Sequence, residues 1–240
     1  MEIFGVKFNN ITYNELSDAI CASIEGNSKI LITYANAHTL NKSYANKTLI
    51  NTVNSFDIVH PDGIGIYLAS KILYKKNCLN KRFTGSDFYP IFAEEAIKNK
   101  WKVFFFGHDN ETLNKIKLNY PDLIISGLKE GYQFNDNEVI NSVNSSETDV
   151  LIIGFGFPKQ EQWIYENKDR LKCKVILAVG EGIKVFAGTK IRGPGFIRAL
   201  GLEWLVRFFA NPIKFFSRYI TGNPIFLCRI IILKMRNFGR

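Results

Sequence analysis

The sequence predicts an α/β fold: a Rossmann-like parallel sheet with helices on both faces, plus a basic helical appendage at the C-terminus. Through the first 189 residues, short apolar runs rich in β-branched side chains alternate with amphipathic stretches. That is the pattern of strands joined by crossover helices. The apolar runs show no polar alternation, as strands buried on both faces require. The last 51 residues then change character, with ten Lys/Arg against the single acid Glu203. The first 189 residues balance at 21 bases and 21 acids, so the whole net charge of +9 belongs to the tail.

Residues 29–34 read as the first strand and 39–53 as a helix. Residues 56–60 form a short strand, followed by Pro61-Asp62-Gly63 and a helix through Leu73. Residues 82–86 lead into an amphipathic helix ending near Lys98, with Ser86 placed as its N-cap. A strand at 102–106, a loop at 107–110 and a helix to Asn119 follow, then a strand at 123–126 and a helix at 136–145. Residues 150–153 are four apolar residues in a row, a buried parallel strand. Gly154 and Gly156 let the backbone beyond it turn tightly and approach a ligand. Pro158 suits the first turn of a helix, which puts Lys159, Gln160 and Glu161 on that turn. Residues 174–179 are the last strand, ending in Gly180-Glu-Gly182. In the tail, Phe196, Leu200, Trp204, Phe208 and Phe215 recur at helical spacing, which predicts one helix over 196–216. The boundary between the main domain and the appendage falls between residues 194 and 195.

Several classes are excluded by composition. At 240 residues and 46% hydrophobic, the chain can bury a proper core. Cys21, Cys78, Cys173 and Cys228 are scattered without a CxxC pair, against a disulfide framework or zinc site. The N-terminus lacks the basic and apolar regions of a signal peptide. No stretch reaches the roughly 20 apolar residues of a spanning helix. Nine aromatics interleave with the tail's cations, a composition suited to a membrane interface with anionic lipid. Arg229 interrupts the apolar run 224–233, so this piece lies on a membrane rather than spanning it.

The motifs are informative partly by what is missing. Gly154-Phe-Gly156 and Gly63-Ile-Gly65 each lack the third glycine of the dinucleotide fingerprint. Gly182 to Lys190 has the wrong glycine spacing and residue order for a P-loop, and no Asp-x-Asp occurs. The polar loop residues nevertheless fall at strand carboxyl ends: Thr33 and Asn36, Asp62, His108 and Asp109, Lys159 to Glu161, and Glu181. Open α/β sheets bind ligands along that edge. Asp62 is either a turn aspartate bonded to its own backbone or a general base for a substrate hydroxyl. Asn36 is either a helix N-cap or a ligand amide. His38 and His60 read as solvated or core imidazoles, with no partner at metal-ligand spacing. His108 and Asp109 read as a loop capping the next helix. Lys159, Gln160 and Glu161 are either a solvated first turn or site residues, and the paired glycines favour the site.

These pieces taken together resemble the WecG/TagA/CpsF family, glycosyltransferase family 26, from about Ile30 to Phe226. The likeness rests on Thr33-Tyr-Ala-Asn36, Asp62-Gly-Ile-Gly65, Arg82-Phe-Thr-Gly-Ser-Asp87, Gly154-Phe-Gly-Phe-Pro-Lys-Gln-Glu161, Gly201-Leu-Glu-Trp204, Arg207 and Arg218-Tyr219. It implies a catalytic domain over 1–194 and a membrane-docking appendage over 195–240. It implies transfer of a sugar, N-acetylmannosamine or another hexose, from a UDP-sugar to a polyprenyl-diphosphate-linked saccharide. Transfer would invert the anomeric centre and use no metal or other cofactor, in the synthesis of teichoic acid, capsule or exopolysaccharide. The family's catalytic aspartate falls on Asp62, with Arg82 beside it. Its site threonine, asparagine and glutamine fall on Thr33, Asn36 and Gln160. Arg207 and Arg218 match the appendage cations that would meet the acceptor's diphosphate, and the donor diphosphate would lie near the backbone at Gly154 and Gly156. The implied location is cytoplasmic, peripheral on the inner face of the cell membrane. Two residues depart from the pattern: Lys184 stands where the family has an acid, and Glu181 is inserted into a small-residue turn. A basic nucleic-acid- or phosphate-binding protein is the alternative. The neutral main domain and the helical spacing of the tail aromatics oppose it, so no nucleic acid partner is expected. Homo-oligomerisation is left open.

Overall fold

Six apolar runs pair into one parallel sheet in a computed structural model that describes residues 1–238. In chain order the elements begin with a two-stranded hairpin, β1 (Glu2–Ile3) and β2 (Val6–Lys7), and α1 (Tyr13–Glu25). Next come β3 (Ile30–Ala35), α2 (Ala37–Ser43), α3 (Lys47–Asn54), β4 (Ile58–Pro61) and α4 (Gly63–Tyr74). Then follow α5 (Gly85–Lys98), β5 (Val103–Gly107), α6 (Asn110–Asn119), β6 (Ile125–Lys129) and α7 (Asp136–Ser145). The sheet is completed by β7 (Val150–Gly154), α8 (Lys159–Asn167), β8 (Val175–Ala178) and the short α9 (Ile183–Phe186). The tail forms α10 (Gly195–Ala199), α11 (Glu203–Ala210), α12 (Pro212–Phe216) and α13 (Gly222–Phe238).

The strand order is β4-β3-β8-β7-β5-β6, which is not the order of a dinucleotide-binding sheet. Successive residues feed opposite faces. Phe104 and Phe106 enter one core with Leu151 and Ile153, while Val103 and Phe105 enter the other with Val150 and Ile152. This two-sided burial is why the inner strands β5 and β7 read as unbroken apolar runs.

Several expectations need correction. The helix expected over 39–53 is two helices, α2 and α3. Ala45 sits at φ +59 between them, and Asn46 caps α3 by accepting from Leu49 N–H at 3.1 Å. Ser86 does not cap α5; Thr84 does, accepting from Asp87 N–H at 3.2 Å. The single tail helix expected over 196–216 is broken twice. Gly201 turns at φ +76, and Asn211 accepts from Lys214 N–H at 3.0 Å with Pro212 in the first turn of α12.

The tail is packed onto the body. Phe226 and Ile230 of α13 are buried in the same core as β5 and β7. Asn41 of α2 donates to Gly222 O at 2.7 Å and accepts from Arg229 through its side-chain oxygen at 3.0 Å. The Arg229 guanidinium also lies 3.8 Å from the centre of the Tyr44 ring. Arg192 reaches back from the linker to Asp87, to Ser86 O at 2.9 Å and to Glu203 at 3.4 Å.

Candidate active site

A cavity of about 300 Å³ opens above the carboxyl ends of β3, β4, β7 and β8, and the tail forms its far wall. Asp62 follows β4 at the N-cap position of α4, yet its side chain caps nothing. Instead Oδ1 accepts from Gly85 N–H at 3.1 Å and Oδ2 accepts from the Asn36 amide at 3.2 Å. Its own N–H donates to Ala35 O at 3.0 Å. One donor per oxygen aims the carboxylate and leaves lone pairs free toward the cavity. Gly85 is needed for that grip, because a Cβ there would meet the Tyr89 hydroxyl at 2.5 Å.

Asn36 takes both roles that its position allows. Its Oδ1 caps α2, accepting from His38 N–H at 3.1 Å and Thr39 N–H at 3.2 Å. The cap fixes which way the amide faces, and so delivers its NH₂ to Asp62.

The turn after β7 is buried on two of its three polar residues. Gln160 and Glu161 are 5% and 1% exposed, whereas Lys159 points outward and does not line the cavity. The Gln160 side-chain oxygen accepts from Gly156 N–H at 3.2 Å and Gly180 N–H at 2.9 Å, tying two glycine loops together. Its NH₂ donates to Glu161 Oε1 at 2.8 Å, and the Thr33 hydroxyl donates to the same oxygen at 2.9 Å. Thr33 therefore lies behind the cavity wall, spent on Glu161. Burial raises the Glu161 carboxyl above its ordinary range, against the pull of Gln160 and Thr33. Its Oε2 has no partner among the described residues.

The two glycines differ. Gly156, at φ +87, lines the cavity with open space where a Cβ would be. Gly154 does not line it, and a Cβ there would meet Gly180 O at 2.6 Å and Ile183 at 2.5 Å. Gly154 is a packing requirement between β7 and the 180–183 turn.

Cations from both parts of the chain line the same cavity as Asp62. Arg82 donates to Arg198 O at 2.8 Å, joining body to tail. Arg207 lies 3.3 Å from Glu203 one helical turn earlier, while its Nε has no partner among the described residues. Arg218 lines the cavity, and its charge joins burial in pushing the His38 imidazole down to about 4. His38 is therefore neutral near pH 7. Lys190, which the sequence did not single out, also lines the cavity and donates to Ser86 Oγ at 2.7 Å. Burial, then the charge of Arg207, pulls its pKa down to about 8. Glu203, 6% exposed, is a further missed residue. It holds Arg192 and Arg207 together, 3.4 and 3.3 Å away.

Of the two unusual residues, Glu181 lines the cavity and pairs with Lys214 of α12 at 2.6 Å, whereas Lys184 does not line it. His108 and Asp109 lie elsewhere, with Asp109 capping α6 by accepting from Thr112 N–H at 2.7 Å. Among the described residues no cluster of His, Cys, Asp or Glu could hold a metal ion.

The glycosyl transferase WecG/TagA/CpsF family profile matches residues 1–239. The chain belongs to this family. Curated relatives include an N-acetylglucosaminyldiphosphoundecaprenol N-acetyl-beta-D-mannosaminyltransferase of Bacillus spizizenii, 29% identical over 83% of this chain and 80% of the relative. A protein of the same name from Staphylococcus aureus strain MRSA252 is 29% identical over 98% of this chain and 94% of its own. The chain is thus a glycosyltransferase, and the cavity beside Asp62 is where this member of the WecG/TagA/CpsF family collects its polar side chains.

Proposed function

We propose that this enzyme transfers N-acetylmannosamine or a related hexose from a UDP-sugar to a saccharide carried on polyprenyl diphosphate, for a cell-surface polymer. The names of the relatives support both sugars of that reaction. The observation that carries the reading is the Asp62 carboxylate, held by one donor on each oxygen in a cavity that Arg82, Lys190, Arg207 and Arg218 also line.

In this reading Asp62 takes the proton of the acceptor hydroxyl. The hydroxyl oxygen bonds to the anomeric carbon from the face opposite UDP, and the carbon–oxygen bond to the diphosphate breaks. The electron pair leaves with UDP, whose charge Arg82 and Lys190 neutralise in place of a metal, while Arg207 and Arg218 meet the acceptor's diphosphate. Gly156, with open space where a Cβ would be, lets the donor's diphosphate approach the turn after β7 closely. The other carboxylates near the cations are engaged, Glu181 by Lys214 and Glu203 by Arg192 and Arg207. That engagement favours cations, not a carboxylate-held metal, as the counter-charge. The tail rests on the anionic inner surface of the membrane.

Asp62→Asn tests the assignment. Turnover should fall about 10²–10⁴-fold, the usual worth of general-base help, with UDP-sugar affinity kept. Release of UDP from a donor panel, in EDTA and with an N-acetylglucosaminyl-diphosphate lipid acceptor, measures both. An Asp62→Asn enzyme with most of its turnover would remove Asp62 from the chemistry.

A further inference from the structure

Beside the polar cavity lies a second one, of about 540 Å³, with a different character. Its walls are apolar: Leu68 and Ala69 of α4, Leu200 before α11, and Phe226, Leu227 and Ile230 of α13. It is open to the outside, since Leu68 is 49% exposed, Leu227 47% and Leu200 66%. Its inner end merges with the polar cavity, because Asp62, Ile64, Trp204, Arg207 and Arg218 line both. The molecule therefore offers an apolar trough that ends at two guanidinium groups and a carboxylate.

We propose that this trough holds the isoprenoid chain of a lipid diphosphate, with the diphosphate at Arg207 and Arg218. The proposal rests on the transferase reading above and adds where the acceptor's chain lies. The charge pattern argues for this occupant. A single chain ending in a diphosphate satisfies an apolar trough and paired cations together, whereas a phospholipid brings two chains and one phosphate. An exposed apolar surface rimmed by charge marks a site for an amphipathic partner. A sugar attached to the diphosphate would then stand at the junction, next to Asp62. The same trough explains why the tail packs against α4, since neither α4 nor α13 alone forms it.

Trp204 lines the junction, while Trp101 and Trp163 are buried in the cores, so tryptophan fluorescence reports on this site. The test titrates the full chain with inorganic diphosphate, then with geranyl, farnesyl and geranylgeranyl diphosphate, then with phosphatidylglycerol vesicles. Affinity should climb with each isoprene unit, geranylgeranyl diphosphate binding at least tenfold tighter than inorganic diphosphate. Leu68→Glu should erase that gain while leaving the inorganic diphosphate affinity within about twofold. Should Leu68→Glu not fold, Leu68→Ala and the chain-length series on the unaltered protein decide the matter. Affinity independent of chain length, a gain that survives Leu68→Glu, or vesicles that compete equally well per lipid would each overturn the proposal. Failure of the transferase reading is separate: chain-dependent binding without turnover on any UDP-sugar would sink that reading alone.

Discussion

Lys190 is the cavity cation whose charge lies closest to being lost, with a pKa near 8. A lysine that neutralises a diphosphate must be protonated, so the free enzyme should lose donor capture as pH rises through that value. kcat/KM for the donor is expected to fall along an alkaline limb near pH 8, and Lys190→Arg should move the limb to higher pH. An unmoved limb would assign it to another group. Glu161 titrates in the opposite sense to a paired carboxylate. Burial raises it above 4.5, so the folded chain binds that proton more tightly than the unfolded one. Its stabilising contribution is complete below pH 4.5 and is lost as pH rises through the folded value. Glu161→Gln preserves the acceptor for Thr33 and Gln160, and should flatten the fall in melting temperature as pH rises above 4.5. An identical slope in wild type and variant would place that dependence elsewhere. Gln160→Ala leaves Gly156 and Gly180 N–H without an acceptor, at about 1–3 kcal/mol, and should raise the donor KM. An unchanged donor KM would show that the two loops hold their places without it. Asn36 and Asp62 were legible as cavity residues because each follows an apolar strand directly, and Gln160 because it sits in the first turn of the helix after one, where the sheet edge collects ligands. Lys190 and Glu203 were not, because the tail brings them back over that edge by packing that no periodicity announces. Gly85 acts through its N–H, and a motif records only that it is glycine.

Elements were legible in proportion to how locally they are determined. The inner strands announced themselves because both faces are buried, whereas the edge strand β6 is only half-buried and runs over Ile125–Lys129, beginning two residues beyond the start of the expected 123–126. The α2–α3 break was hidden, since Ala45 takes φ +59 without a glycine or proline to signal it. The start of α1 carries its own local signal: Thr12 and Glu15 form a reciprocal capping box, with Thr12 N–H donating to Glu15 at 2.7 Å. In the tail, an apolar period of three to four masked the stop signals at Gly201 and Asn211-Pro212. Those breaks matter to the proposed function, because the turn at Gly201 sets the direction in which α11 presents Glu203 and Arg207. Gly201→Ala puts a side chain at φ +76 with Ile64 3.1 Å away. The left-handed conformation alone costs about 1–2 kcal/mol. Thermal melting should show that loss, and turnover should fall further than stability does, because Arg207 moves with α11. Full turnover in a destabilised variant would mean that Arg207 is placed independently of the Gly201 turn.

At the scale of the whole molecule, charge and exposed apolar surface gather at the same end. Of the eighteen large hydrophobic side chains exposed among the described residues, eleven lie between Phe196 and Met235. Exposed Lys214 and Arg236 sit among them. No helix of the described residues is long and apolar enough to cross a membrane. The mixture of cations and exposed apolar side chains is what the proposed docking on an anionic bilayer would use. Deleting the tail is a poor test of that idea, because Phe226 and Ile230 belong to the core and their loss would unfold more than a docking surface. Ile213 and Phe209 are cleaner probes, at 93% and 73% exposed. Each such side chain is worth about 1.5–3 kcal/mol when fully buried in an apolar medium. Ile213→Glu with Phe209→Glu should therefore weaken binding to phosphatidylglycerol vesicles at least tenfold in a flotation assay, with the melting temperature unchanged. Binding of the unaltered protein should also decline as salt is raised, since its cations meet the lipid across water. An oligonucleotide at equal ionic strength should not displace the vesicles, because the aromatic and aliphatic groups beside the cations gain nothing from a phosphate backbone. Vesicle binding that survives the double substitution would refute docking through α11 and α12. Displacement by the oligonucleotide would return the basic tail to a nucleic-acid partner.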